Sequence, residues 1–336
     1  MEVELQLAGA RDAGISNVAF SPTAHDLLVS TWDGALTLYD ADENVVRRRC
    51  DAHQAPVLDC CFTDDGRAVS ASADRSVKLW DLAAGSAVTL GLHNQPVKCV
   101  EHAAARGAVV SAGWDCALHL WDARQPGAAA ASAQLPEKAY SLGLTDDRIV
   151  VGMAGRHVYV YDMRTMGTTV ELAPEQVRQS SLKYQTRCIR CFPNGRGYAL
   201  SSVEGRVAIE YFDDAPEVQA QKYAFKCHRK RDGDTDTVFP INAMAFNKTH
   251  GTFATGGCDG TVIMWDGSHK KKLTTYPEKA TSVAALAFSH DDTLLASAVS
   301  YTHEAGEQAD APPDQIFIRA PSDEDVRPRS VAPQLG

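Results

Sequence analysis

Apolar and polar residues alternate along this chain in short runs, and the runs come in threes. ISNVAF (15–20), DLLVS (26–30) and ALTLYD (35–40) make the first group; APVLDCCF (55–62), AVSAS (68–72) and SVKLWD (76–81) make the second. The third is PVKCVEH (96–102), AVVSAG (108–113) and ALHLWD (117–122), and the fourth AYSLGL (139–144), RIVVGM (148–153) and HVYVYD (157–162). TRCIRCF (186–192), GYALSS (197–202) and RVAIEYFD (206–213) follow, then INAMAF (241–246), TFATGG (252–257) and TVIMWD (261–266). A period of two predicts strands with one face buried. Asp33-Gly34, Asp64-Asp65-Gly66 and Asp259-Gly260 punctuate them as tight turns.

Each group ends on an aromatic residue and an aspartate: Tyr39-Asp40, Trp80-Asp81, Trp121-Asp122, Tyr161-Asp162, Phe212-Asp213 and Trp265-Asp266. Successive dipeptides lie 41, 41, 40, 51 and 53 residues apart. A period near forty with this ending marks the four-stranded blades of a WD-repeat propeller. The expected fold is all-β, a single seven-bladed β-propeller over 1–320 with a loose, Pro- and charge-rich tail over 321–336. A seventh group lacks the dipeptide: SVAALAF (282–288), LLASAV (294–299), a polar insertion at 301–314, then IFIRA (316–320). Its missing strand is expected from Val3-Glu4-Leu5-Gln6-Leu7, with Leu5 and Leu7 facing the core or the neighbouring blade, because that pairing removes an exposed sheet edge. Extra residues around 165–184 and 214–236 break the period and are expected as loops on the rims or faces.

Composition narrows the functional classes. A net charge of −10 argues against a general nucleic-acid coat. The chain has no run of 18 apolar residues, and its opening MEVELQLAGARDAG is unlike a secretory leader. Nine cysteines scattered through strands suit buried thiols in a reducing compartment.

Few residues suggest catalysis. His53 and His93 each stand about twenty residues before a turn acid, Asp74 and Asp115, which could make a hydrolase dyad. The spacing repeats by blade, whereas a catalytic pair would occur once. With a small hydroxyl residue and Trp80 or Trp121, each His and Asp reads better as a buried polar chain pinning a blade. Cys188 and Cys191 have metal-type spacing, but no second pair completes four ligands, and positions three apart in a strand face opposite ways. Cys60-Cys61 reads the same way, and no cofactor or metal is expected.

Charge is the departure from background. Residues 183–231 hold ten Lys or Arg against five acids on an otherwise acidic chain. Clustered guanidinium groups suit an acidic or phosphorylated peptide. RNA could use the same cations, but the aromatic residues that would stack bases are sparse. Arg187 and Arg206 begin strands and so can be held on a face, while Arg229-Lys230-Arg231 could be a solvated loop.

The segments SSLKYQTRCIRCFPNGRGYALSSVEGRVAIEYFD (180–213) and YAFKCHR (223–229) resemble the spindle-assembly-checkpoint WD-repeat family, budding uninhibited by benzimidazoles, third member. FSPTAHDLLVSTWDGALTLYD (20–40), VVGMAGRHVYVYDMRTMG (150–167) and FATGGCDG (253–260) extend the resemblance over nearly the whole chain. It implies a non-enzymatic adaptor of the nucleus and of kinetochores in mitosis. Such an adaptor binds the GLEBS motif of a checkpoint kinase and its pseudokinase relative, and recognises phosphorylated Met-Glu-Leu-Thr repeats on a kinetochore scaffold. By resemblance, Arg187 and Arg206, with Lys183 nearby, fall where the family clamps the GLEBS glutamates. Arg229 falls where it receives phosphothreonine, with Lys226 its neighbour and Trp32 an exposed aromatic near the peptide path. The family's second phosphate-facing cation lies in the turn after the first strand of blade six; that turn is FNKTHG here, and Lys248 is the candidate. KYQTRC, EGRVAI and FKCHR are also similar to a sister family, the RNA-export WD-repeat factor of nuclear pores, which binds GLEBS-type motifs as well.

Overall fold

A computed structural model of the protein describes residues 2–5, 13–165 and 171–329. Among them are seven four-stranded antiparallel sheets and one separate two-stranded hairpin. The sheets are the blades of a β-propeller. In blade one the strands run outward in chain order: Ile15–Phe20, Asp26–Thr31, Ala35–Asp40 and Val45–Asp51. Blades two to six repeat that order. The innermost strands of neighbouring blades pack side by side around a central channel, and Ile15–Phe20 meets Val283–Phe288 to complete the circle.

The seventh blade closes as the strand count required. Glu2–Leu5 pairs antiparallel with Gln315–Arg319, Val3 opposite Ile318 and Leu5 opposite Ile316. The expected burial of the Leu5 and Leu7 side chains falls outside the described residues.

The three inner strands of each blade fall close to where alternation puts them. The outermost strands are a different case. Val45–Asp51 reads VVRRRCD and alternates exposed with half-buried positions; it has a neighbour on one edge only and needs no apolar face. Where loops were expected, Gln176–Gln179 is the outer strand of blade four, and Arg229–Asp232 pairs with Thr235–Val238 in a hairpin. The tail also departs from expectation. Ser322 and Asp325 form a capping box for the short helix Asp323–Val326. Val326 is buried beside Leu273 and Tyr276, its carbonyl accepts from Thr252 Oγ1 at 2.7 Å, and Arg329 donates to the Leu273 carbonyl at 3.1 Å. One apolar residue in a charged stretch is too little to show as a periodic pattern.

The recurring dipeptide has two jobs. Tyr39, Trp80, Trp121, Tyr161 and Phe212 are buried in the inter-blade core. The aspartate that follows caps the next turn with its carboxylate. Asp40 accepts from the Glu43 amide at 3.0 Å, Asp81 from Ala84 at 2.8 Å, Asp122 from Arg124 at 2.9 Å, Asp162 from Arg164 at 2.8 Å, Asp213 from Ala215 at 2.9 Å and Asp266 from Ser268 at 3.0 Å.

His53 and His93 are pins. His53 Nδ1 donates to Asp74 at 2.8 Å; its Nε2 accepts from Ser70 Oγ at 2.7 Å, and Ser70 accepts from Trp80 Nε1 at 2.8 Å. His93, Asp115, Ser111 and Trp121 repeat the chain at 3.1, 2.7 and 2.8 Å. Both imidazoles are fully buried, so neither Nε2 can meet a substrate. Each chain ties the approach to one inner strand to the blade's own turn and core.

Two outcomes test this account. Deleting residues 1–5 leaves Gln315–Arg319 as an open edge and should lower the melting temperature by several degrees; an unchanged melting curve would exclude this closure. The second is acid sensitivity. Burial lowers the His53 pKa below its ordinary value of about 6.5, Asp74 restoring only part. Burial also acts to raise Asp74 and Asp115, but hydrogen bonds from Ser76 to Asp74 and from His93 to Asp115 win and hold both low. All three groups bind protons less well folded than unfolded, so their contribution is complete at higher pH and lost on acidification. Glu101 and His25, whose pKa values are raised, act the other way over the same range, so the pin is read as a difference. Denaturant titrations should show wild type losing more stability than His53→Gln between about pH 6.5 and 5, and equal losses would contradict the pin.

Candidate functional site

The innermost strand of every blade carries a β-bulge at the same place, one residue after its start. The residues left unpaired are Ser16, Leu58, Lys98, Tyr140, Arg187, Asn242 and Ala284, and all line one narrow cavity of about 70 Å³ at a mouth of the channel. A bulge re-aims its side chain out of the ladder. It therefore turns Arg187 from a strand residue into a channel-mouth cation. Arg187 donates to Asn242 Oδ1 from Nη2 at 2.6 Å and from Nε at 3.2 Å. That partner is neutral, so its charge remains uncompensated by this contact. Lys98 and Tyr140 extend the arc through blades three and four. Sequence reasoning passed over both; the bulge position, repeated in seven strands, is the signal that would have found them.

Arg206 begins the third strand of blade five and stands opposite Lys226 at the end of the fourth. Both ends point to the face that carries Arg187. The Glu204-Gly205 turn joins the second and third strands there. Gly205 has φ 64°, and a Cβ would lie 2.7 Å from the His228 carbonyl, so only glycine lets Cys227–Arg229 lie across the turn. Cys227 N donates to the Gly205 carbonyl at 3.0 Å and Arg229 Nη2 to the Glu204 carbonyl at 3.1 Å. The Glu204 carboxylate stands 3.6 Å from Arg206 Nε. Arg206 and Arg229 thus meet on a single residue, and with Lys226 they form one cationic patch. Arg229 is largely enclosed, its nearest carboxylate, Asp236, is 3.9 Å away, and its Nε is buried with no hydrogen-bond partner among the described residues.

Arg229 is firmly held because its neighbour is a pin that the sequence reading missed. His228 Nδ1 donates to Asp259 at 2.8 Å, His228 Nε2 accepts from Thr255 Oγ1 at 2.8 Å, and Trp265 Nε1 donates to Thr255 at 2.9 Å. The hairpin inserted after His228 lengthens the His-to-Asp interval to 31 residues, which hid the repeat. Lys230 and Arg231 lie further out on that hairpin; Lys230 pairs with Glu278 at 2.7 Å. Lys183 is exposed on the segment leading to Arg187's strand.

Not every expected residue joins them. Lys248 lies in the turn between the first two strands of blade six, at the opposite face, where it lines a wider cavity of about 870 Å³ with Phe246 and Phe288. It cannot share a ligand group with Arg229. A cation chosen by its place in the sequence is displaced here because the ends of an inner strand open on opposite faces. Trp32 is on the basic face, 53% exposed, with its amide donating to the Gly14 carbonyl at 3.0 Å. It belongs to blade one, two blades beyond the Arg229 hairpin. Several counted cations are spent elsewhere: Arg190 sits 3.6 Å from Glu101 and Lys222 2.9 Å from buried Glu210. Burial lifts Glu101 to about 7, with Arg190 restraining the rise.

The paired thiols carry no ligand set. Cys188 packs towards blade six and Cys191 towards blade four, on opposite faces of their strand. Cys60 and Cys61 divide likewise between blades one and three.

A ring of seven repeats with its three pins enclosed and one cationic face open is a WD-repeat propeller, a scaffold protein. The WD domain, G-beta repeat family model matches residues 44–81, 86–122 and 225–266. The chain is 48% identical to mitotic checkpoint protein BUB3.1 of Arabidopsis thaliana, covering 96% of this chain and 94% of that one. It is 43% identical to mitotic checkpoint protein bub3 of Dictyostelium discoideum, over 91% of each. It is 32% identical to the mRNA export factor GLE2 of Chaetomium thermophilum, over 97% of this chain and 92% of that one. The chain belongs to the BUB3 family of mitotic checkpoint proteins.

The third pin is testable. His228→Ala strands Asp259 and Thr255 and should cost about 1–3 kcal/mol of unfolding free energy, while Lys230→Ala, at an exposed pair, should cost well under that. Equal losses from the two substitutions would mean that His228 is not a pin.

Proposed function

We propose that this protein is a mitotic checkpoint adaptor that holds two peptides on its basic face. One is the GLEBS motif of a checkpoint kinase or its pseudokinase relative, gripped by Arg187 and Arg206 with Lys183 beside them. The other is a phosphorylated Met-Glu-Leu-Thr repeat of a kinetochore scaffold, read by Arg229 and Lys226. The observation that carries this reading is the convergence of Arg206, Lys226 and Arg229 around Glu204 on the face that Arg187's bulge also serves. A glutamate side chain can answer Arg187 at the channel mouth, where its present partner is a neutral amide. A phosphate brings about −1.5 to −2 charge and three acceptors, and the Arg229 guanidinium has no carboxylate closer than Asp236 at 3.9 Å. Kinetochores in mitosis, and the nucleus otherwise, are where this chemistry would be used.

Trp32 would pack an apolar peptide residue further along the path, since a ligand touching Arg229 must cross blades six and seven to reach it. Lys248 has no part in this reading. Likeness to an mRNA export factor supports a second reading, in which the same face takes a GLEBS-type motif of a nuclear-pore protein.

Calorimetry with peptides separates these. Arg206→Glu should weaken a kinase GLEBS peptide at least tenfold with folding intact, because a buried charge pair that loses one partner costs about 2–5 kcal/mol. With that peptide bound, a phosphorylated Met-Glu-Leu-Thr peptide should bind more tightly than the plain one. Arg229→Ala should abolish most of the difference, added salt should shrink it, and Lys248→Ala should leave it unchanged. A wild-type protein indifferent to phosphorylation would overturn the checkpoint mechanism and favour the export reading.

A further inference from the structure

On the opposite face, where blades seven and one meet, two histidines and two aspartates gather across the seam. His25 lies in the turn before Asp26–Thr31 of blade one; His290 and Asp291 lie in the corresponding turn of blade seven. His25 Nδ1 donates to Asp42 at 2.8 Å, fixing its tautomer and leaving Nε2 turned to Asp291, 3.2 Å from each carboxylate oxygen. The His290 ring stands 5.5 Å from the His25 ring. One nitrogen from each histidine and one Asp291 oxygen lie within 4.8 Å of one another. Asp291 Oδ1 is occupied by Ser289 at 2.7 Å and Thr293 at 2.8 Å, so Oδ2 is the oxygen left for a ligand.

We propose that His25, His290 and Asp291 bind a divalent transition-metal cation, with zinc as the fitting case. Two imidazoles and a carboxylate suit zinc, nickel or copper and do not suit magnesium or calcium. A His whose other ring nitrogen donates to a carboxylate is the usual arrangement of a zinc-bound imidazole, and Asp42 supplies that carboxylate. Three protein ligands leave one position for water. Partial burial disfavours protonated His25, but Asp42 and Asp291 overcome it and raise its pKa. Exposed His290 needs a small side-chain movement to close on the ion. The bond would join turns 266 residues apart in the chain, at the seam where the ring closes. It would therefore staple the join that the N-terminal strand makes elsewhere in the same blade.

The test uses the full chain, treated with chelator and dialysed, with zinc chloride as the probe. Calorimetry should show one zinc bound per chain at micromolar dissociation, and the melting temperature should rise with zinc concentration and not with magnesium. His290→Ala should weaken zinc binding at least tenfold while melting like wild type without metal, since its ring is exposed. Asp291→Asn should weaken it too. The idea fails if wild type takes up no zinc below about 1 mM, roughly the weak end of divalent-cation binding by protein sites. It fails equally if His290→Ala binds as wild type does, which would assign the metal to His93, Asp115 and His119, whose ligand atoms also lie within 4.8 Å of one another.

Discussion

Each blade of a propeller has two faces to bury and can bury them only against other blades. The circle must therefore close, and a chain has two ends at which it can fail to. Here the join falls inside blade seven, where Glu2–Leu5 supplies the outermost strand beside Gln315–Arg319. The edge it covers would otherwise be a template for another chain. Everything else is arranged around that join. Ile15 N donates to Ser300 Oγ at 3.0 Å, and Gly14 N to Asp314 at 2.8 Å, so polar contacts cross the seam from the first inner strand.

Inside the circle the repeats are held by polar groups set in an apolar frame. The aspartate of each closing dipeptide caps a turn, and His53, His93 and His228 each pin a blade. The buried pins are stable in the interior because each of their donors finds an acceptor. The same logic runs between blades: Asp59 accepts from the Val100 amide of blade three at 2.9 Å and from Asn17 of blade one at 2.5 Å. The result is a rigid disc whose side chains at the channel mouth are positioned by backbone geometry rather than by their own packing.

That rigidity gives the basic face its character. Arg187 is aimed by a bulge, Arg206 by a strand start, and Arg229 by a chain segment locked under His228 and over Gly205. Cations held this way lose little freedom when a ligand arrives, so less of the attraction is spent on ordering them. Lys230 and Arg231, further out on the hairpin, lack that support and add charge rather than geometry.

The repeat architecture was legible in the chain because alternation and the aromatic-aspartate ending are local requirements of every blade. A strand with one buried face must alternate, and a turn after it needs its cap, wherever the blade sits. Trp80 and Asp81 announce this by themselves. The outer strands, such as Val45–Asp51, were silent because an edge exposed to water imposes no apolar pattern. The His228 pin was hidden by the inserted hairpin, and Val326 by its charged surroundings. Which charges share a face was legible only in part: strand starts marked Arg187 and Arg206, while Lys248 was expected beside Arg229 and opens on the other face. Arg206 and Lys226 are twenty residues apart and adjacent across two strands. Arg187 and Arg196 are nine residues apart, at opposite ends of one strand and its turn. Residue order and antiparallel pairing set which strand a cation belongs to and which end of it the cation occupies; only packing of the blades around the channel sets which cations from different blades stand together on one face.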